Sequence, residues 1–126
     1  MGYRSDIVAL IYPDTDTKHE YKEPYEALKT LMNTTFKEVT DTWNDYVEWH
    51  DDVNCLKFKI DDVKWYESDP DVQIFMDMMK FFRSEAQGYC TEFIRIGEDY
   101  DDAEEEHTGE NQLYLTHIRR TIDCGI

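Results

Sequence analysis

Residues Asp6–Tyr12 (DIVALIY) form an unbroken β-branched and aromatic run stopped by Pro13. That is the pattern of a strand buried on both faces, and so central in its sheet. Asp14–Glu23 is polar and turn-like, and Pro24 suits the first position of a helix, where a missing N–H costs nothing. Tyr25, Leu28, Met32, Phe36, Val39, Trp43 and Tyr46 then recur at steps of three and four, one helical face. Asn33-Thr34-Thr35 and the stretch Val39–Thr42 weaken helix propensity. The expected elements are a helix over Pro24–Met32 and a second helical piece running toward Asn44. Tyr46–His50 fits either a last turn or a short strand.

Asp51–Asn54 reads as a turn. Cys55–Ile60 alternates, with Leu56, Phe58 and Ile60 on one face and Lys57 and Lys59 on the other. Asp61-Asp62 before Val63–Tyr66 predicts a hairpin over CLKFKIDDVKWY. Ser68–Asp71 is a helix start, with Asp69 as N-cap and Pro70 first in the helix. Val72, Phe75, Met76, Met79 and Phe82 make its apolar stripe, widened by Ile74, Met78 and Phe81, and Gly88 supplies the stop. Tyr89–Ile96 and Gln112–Ile118 are the last two predicted strands. The order strand, helix, hairpin, helix, hairpin predicts one α+β domain over residues 1–126. Its antiparallel sheet of four to five strands carries two main helices on one face, and a split-βαβ, ferredoxin-like arrangement is compatible with that order.

Length and composition support a folded domain: 126 residues, 40% hydrophobic and 14% aromatic, suffice to bury a core. The formal charge of −16 changes the picture more. Solubility needs only roughly 2–8 charges in a small domain, and the excess repels itself in the compact state. It disfavours direct contact with nucleic acid or anionic membranes, which need lysine and arginine, and favours a basic protein partner. Cys55, Cys90 and Cys124 are odd in number and lack a CxxC pair, which fits reduced thiols in a cytoplasmic protein. A signal peptide and an 18-residue apolar run are both missing from the sequence, and Asp6 stands where a myristoylation pattern wants Ser or Thr.

The charge is concentrated in Gly97–Glu110 (GEDYDDAEEEHTGE), where eight of fourteen residues are carboxylates. No Lys or Arg lies between Arg95 and Arg119 to offset them. Lying between two predicted strands, the stretch is expected as a charged excursion from an ordered hairpin, either solvated or presented to a basic partner. Asp41, Asp45, Glu48, Asp51 and Asp52 form a second acidic cluster. If both fall on one side of the fold, they make a continuous anionic band. The candidate partner-binding residues are Glu98, Asp99, Asp101, Asp102, Glu104, Glu105 and Glu106, with Asp51, Asp52 and the adjacent Trp49 as a second patch. Trp43, Trp65 and Tyr66 are read mainly as core.

Catalytic, metal-binding and cofactor motifs are missing. His19, His50, His107 and His117 are isolated, without zinc-ligand spacing, and His117 reads as a satisfied residue on a partly covered sheet face. Asp99-x-Asp101 lacks the glycine and glutamate of an EF-hand loop. GxSxG, P-loop and GxGxxG sequences do not occur, and the acids are too many to single out a catalytic pair. The expectation is a non-enzymatic protein with no catalytic residues, metal or cofactor; a homodimer stays open.

The opening MGYRSDIVALIY, the middle VKWYESDPDVQ and the late FIRIGEDYDD resemble a loose set of small acidic proteins encoded by bacteriophages and prophages. The resemblance touches both ends and the centre of the chain. It implies an inhibitor acting in the host cytoplasm on a defence protein of restriction or CRISPR type, or on another nucleic-acid-binding protein. Such an inhibitor would use its acidic surface to mimic nucleic acid. The alternatives are a binder of a small nucleotide-like phosphorylated ligand, using Arg4, Arg95, Arg119 and Arg120, or a phage assembly protein.

Overall fold

The computed structural model describes residues 2–16, 20–85, 88–99, 101–119 and 121–126, with the backbone alone for residues 85, 119, 121 and 123. Its first strand, β1 (Arg4–Pro13), is the middle of a five-stranded antiparallel sheet in the order β2-β3-β1-β4-β5. The others are β2 (Val47–His50), β3 (Cys55–Lys64), β4 (Tyr89–Gly97) and β5 (Ala103–Thr108). Helices α1 (Lys22–Asn33), α2 (Lys37–Thr42) and α3 (Pro70–Lys80) lie on one face. Over its first four strands the order is that of two interlocked split βαβ units, as expected. A small hairpin, β6 (Thr116–Arg119) with β7 (Thr121–Cys124), covers part of the other face.

The period of two in β1 divides the core. Ile7, Ala9 and Ile11 point to the helices and meet Tyr25, Leu28 and Met32 of α1 and Phe75, Met78 and Met79 of α3. Val8, Leu10 and Tyr12 point the other way, to Cys55, Cys90 and the hairpin residues Leu115, Ile122 and Cys124. Phe75 is the aromatic hub of the helix side: its ring lies edge-on to Phe58 at 5.0 Å and to Trp65 at 5.4 Å. Trp43 is buried, and its indole N–H donates to the Asp71 carbonyl at 3.1 Å.

Helix α1 begins two residues before the expected Pro24, which still falls in the first turn, where N–H groups have no helical partner. Pro70 opens α3 as expected, although the Asp69 side chain makes no capping bond. Phe81–Glu85 widen into a π turn, and Gly88 at φ 93° turns the chain into β4. Of the two readings of Tyr46–His50, the strand is found, paired with β3.

Two elements differ from expectation. CLKFKIDDVKWY is not a hairpin: β3 continues through it as one strand along β1. The Asp61-Asp62 pair forms a β-bulge opposite Asp6, with Asp62 at φ 53° and its N–H bound by the Asp6 carboxylate at 2.8 Å. Aspartate tolerates that left-handed backbone, so the same residues suit a turn and a bulge, and only the partner strand decides. The second difference is at the end of the chain. Tyr89–Ile96 and the 112–118 segment do not pair with each other. The acidic stretch supplies β4's partner, and Thr116–Arg119 pairs with β7 instead.

Phe75→Ala should lower the unfolding free energy by about 3–5 kcal/mol, because it leaves a cavity among the rings of Phe58, Trp65 and Trp43. Chemical denaturation measures it.

Candidate functional site

The acidic stretch is built rather than loose. A tight turn closes on Gly97, whose N–H bonds the Asp102 carbonyl at 2.7 Å, and the chain then runs back along β4 as β5. Strand alternation sends Glu104 and Glu106 to the helix side and Glu105 and His107 to the other, since Glu104 pairs with Arg95 and Glu105 with Ile94. Glutamate is a poor strand former. Here the open edge of β4 and nearby cations compensate. Arg95 binds Asp102 at 2.6 Å and Glu104 at 2.9 Å, and Arg83, from the π turn, binds Glu106 at 2.7 Å. The sequence contains no cation within the stretch; the tertiary structure brings two to it.

Asp102 is the best held of the acids. The Arg95 guanidinium and the Tyr3 hydroxyl, 2.6 Å away, pull its pKa from 3.8 down to about 2. The backbone N–H of Arg4 donates to Glu98 at 2.7 Å, and the Asp99 N–H donates to the Tyr3 hydroxyl at 2.9 Å. The Asp99, Asp101 and Glu105 carboxylates are exposed; Glu105 has only a 3.7 Å approach to His107. Asp99, Asp101 and Glu105 therefore carry the charge that remains available on this corner.

The second patch lies elsewhere. Asp51 and Asp52 sit in the turn from β2 to β3, at the edge of the sheet opposite β5 and at the other end of the strands. Four interstrand steps separate the two edges, roughly 19 Å. The two acidic clusters thus occupy diagonal corners and do not merge into one band. Asp51 is tied to Tyr25 at 2.6 Å and Lys29 at 3.0 Å, which lower its pKa. Trp49 packs half-buried against the helix-side core, edge-on to Tyr25 at 5.8 Å.

Of the arginines considered for a phosphorylated ligand, Arg95 is committed to carboxylates and Arg4 donates to the Asp62 carbonyl at 2.9 Å. The Arg119 side chain, Arg120 and His19 lie outside the described residues. His117 is exposed on β6 rather than on a covered face, because its neighbour Thr116 takes the buried position. Burial pushes the Cys90 thiol up to about 12 and the Cys55 thiol higher still, so both stay protonated at neutral pH.

Sequence reasoning missed a buried polar cluster on the second face. Glu92 is fully buried between the sheet and the hairpin. Its carboxylate accepts from the Tyr12 hydroxyl at 2.6 Å, the Leu115 and Thr116 N–H groups at 3.1 and 2.8 Å, and the Thr116 hydroxyl at 2.7 Å. His107 Nε2 stands 3.4 Å away. Burial and the Glu92 carboxylate raise the Tyr12 pKa far above its ordinary value, which keeps the phenol a donor. Register places His107, Glu92, Leu10, Lys57 and Glu48 in one row across all five strands. Lys57, on the face opposite Leu56, Phe58 and Ile60 as the alternation predicts, is buried there and donates to the Ile126 main-chain oxygen at 2.6 Å. The available signal was Glu92 itself, an acid beside Phe93 and Ile94 inside a predicted strand.

Among the described residues there is no group of histidine, cysteine and carboxylate side chains arranged to hold a metal, and no helix long and apolar enough to cross a membrane. The site defined by the fold is an acidic strand at a sheet edge. No protein-family model, curated protein or solved structure matches this chain.

Two outcomes test the geometry. Asp102→Asn should destabilise the protein at pH 7, and the deficit should fade as pH falls from about 4 toward 2. Over that range the lowered Asp102 pKa makes the wild type lose the same stabilisation; denaturation at stepped pH reads it. Glu92→Ala should cost about 3–5 kcal/mol by orphaning two buried N–H groups. It should also speed amide hydrogen exchange in β6 and β7 before the rest of the sheet.

Proposed function

We propose that this chain is a non-enzymatic inhibitor that binds a basic nucleic-acid-binding protein of the host and occupies the surface meant for phosphates. The observation that carries the reading is the β5 edge. Glu104, Glu105 and Glu106 are consecutive on a strand held in register by β4 and by two arginines. An antiparallel strand rises about 3.4 Å per residue. One strand of duplex DNA carries a phosphate every ~3.4 Å of axis. Because successive side chains face opposite ways, Glu104 and Glu106 share one face about 6.8 Å apart, two phosphate intervals, with Glu105 on the other face, on a support that pays no ordering cost on binding. The turn carrying Asp99 and Asp101 extends that charge past the end of the strand.

The net charge of −16 supports the reading through steering: a basic groove attracts such a surface over long range and captures it fast at low salt. The resemblance to small phage proteins directs the choice of target to host defence or replication machinery. The Asp51–Asp52 corner, roughly 19 Å across the sheet from β5, is left outside the proposed contact.

A tagged pull-down from bacterial lysate, washed at rising salt, identifies the target, and purified target then gives the affinity. Replacing Asp99, Asp101 and Glu105 together by lysine should weaken binding more than about tenfold and flatten its salt dependence. Those positions lie outside the Arg95 and Arg83 ion pairs, so the melting temperature should hold. Asp52→Lys should leave binding unchanged. Undiminished binding by the triple variant would overturn the proposal.

A further inference from the structure

Beside β5, on the helix side of the sheet, lies a cavity of about 230 Å³. Trp65 and Met76 give it an apolar lining, Tyr3 one wall, and Glu67 and Glu104 carboxylates on the exposed side. The Arg95–Asp102 ion pair completes it. Three acidic residues thus line the cavity with one arginine, and that arginine is already engaged by Asp102 and Glu104. The Glu67 side chain makes no hydrogen bond or ion pair among the described residues, although its carbonyl accepts from Gln73 at 3.2 Å. Trp65 is fixed from behind by Phe75 and Phe93, with ring centroids at 5.4 and 6.4 Å. An immobile indole beside unpaired carboxylate oxygens is the chemistry that recognises an organic cation, and a guanidinium above others, because it stacks and forms paired hydrogen bonds.

The backbone beside this cavity is open in a complementary way. β5 pairs with β4 along one side, and its other side is the edge of the sheet. An extended segment can add there as a further strand, sending every second side chain to the face that carries Glu104 and Glu106. A second copy of this chain is a poor occupant. Antiparallel self-pairing of β5 centred on Glu105 sets Glu105 against Glu105 and Glu104 against Glu106, all like charges. A basic segment meets opposite charge at the same positions.

We infer that β5 accepts an extended basic segment of the partner as an added strand, and that one arginine of this segment enters the cavity lined by Trp65, Glu67 and Glu104. The inference rests on the proposed basic partner and specifies how it is gripped: main-chain bonds along β5 set the register, and the arginine anchors it. Such a partner is read at the spacing of its arginines, which a purely electrostatic contact does not require.

The test titrates isotope-labelled protein, at low salt and to millimolar concentration, with the capped peptide acetyl-Thr-Arg-Val-Arg-Val-Thr-amide and with its counterpart carrying citrulline for arginine. Citrulline keeps the shape and removes the charge. The expected result is shifts of the β5 amides and the Trp65 indole N–H, with affinity at least tenfold lower for the citrulline peptide. The Glu67→Gln variant, which leaves the Arg95 and Arg83 ion pairs intact, should lose affinity similarly while keeping its melting temperature. Shifts missing from β5 and Trp65, or equal affinity for both peptides, would overturn the inference, leaving the glutamates only to keep β5 from pairing with itself. If that happens while lysine at positions 99, 101 and 105 still abolishes partner binding, the proposed function stands without this mode of grip. If neither has an effect, both fall.

Discussion

Everything in this fold follows from burying β1 on both faces. A strand with Ile7, Ala9 and Ile11 on one side and Val8, Leu10 and Tyr12 on the other needs two covers. The helices take one face with a continuous aromatic core. The second face is covered in part by the short hairpin β6–β7, which is too small to bury much surface of its own. Glu92 compensates. It sinks its carboxyl oxygens into the sheet and collects the Leu115 and Thr116 N–H groups and the Thr116 hydroxyl, so the buried acceptor is satisfied by donors that arrive from the cover itself. Sheet and cover are therefore interdependent.

The same logic governs the acidic edge. A sheet edge with open backbone groups invites pairing with other chains, and charge is a common safeguard. In this protein the safeguard exceeds what solubility or edge protection requires, and part of it is neutralised by Arg95 and Arg83. What this arrangement gains is rigidity. The carboxylates are held on a regular strand beside an aromatic cavity instead of on a mobile loop. A surface already ordered binds without the entropic cost that a flexible acidic tail would carry. That distinction is the physical content of the functional reading, and it would have no support had the stretch been the open excursion its composition suggests.

Much of the fold was legible in the residues. DIVALIY placed the central strand, the three-four spacing from Tyr25 placed α1, and Asp69-Pro70 placed the start of α3. In each case local pattern and tertiary demand agree, so either alone suffices. The candidate site was legible only as composition: Glu98 to Glu106 could be marked as exceptional, but not as a strand, because propensity reads consecutive glutamates as solvated coil. The Asp61-Asp62 bulge was misread for a related reason, since turn chemistry and bulge chemistry call for the same residues.

The sequence by itself thus determined the elements whose hydrophobic period matches their burial, the α+β class, and the excess of negative charge. Only the tertiary structure decided which groups meet. It paired the acidic stretch with β4, supplied its cations from Arg95 and from Arg83 twenty-odd residues upstream, set the two acidic clusters at opposite corners, and buried Glu92 and Lys57 beneath the last hairpin. The reason is physical. Burial of apolar surface leaves a periodic imprint along the chain, because it is a property of each residue's own face. Electrostatic and hydrogen-bonded pairing depends on distances between residues far apart in sequence, and those distances exist only once the sheet has formed.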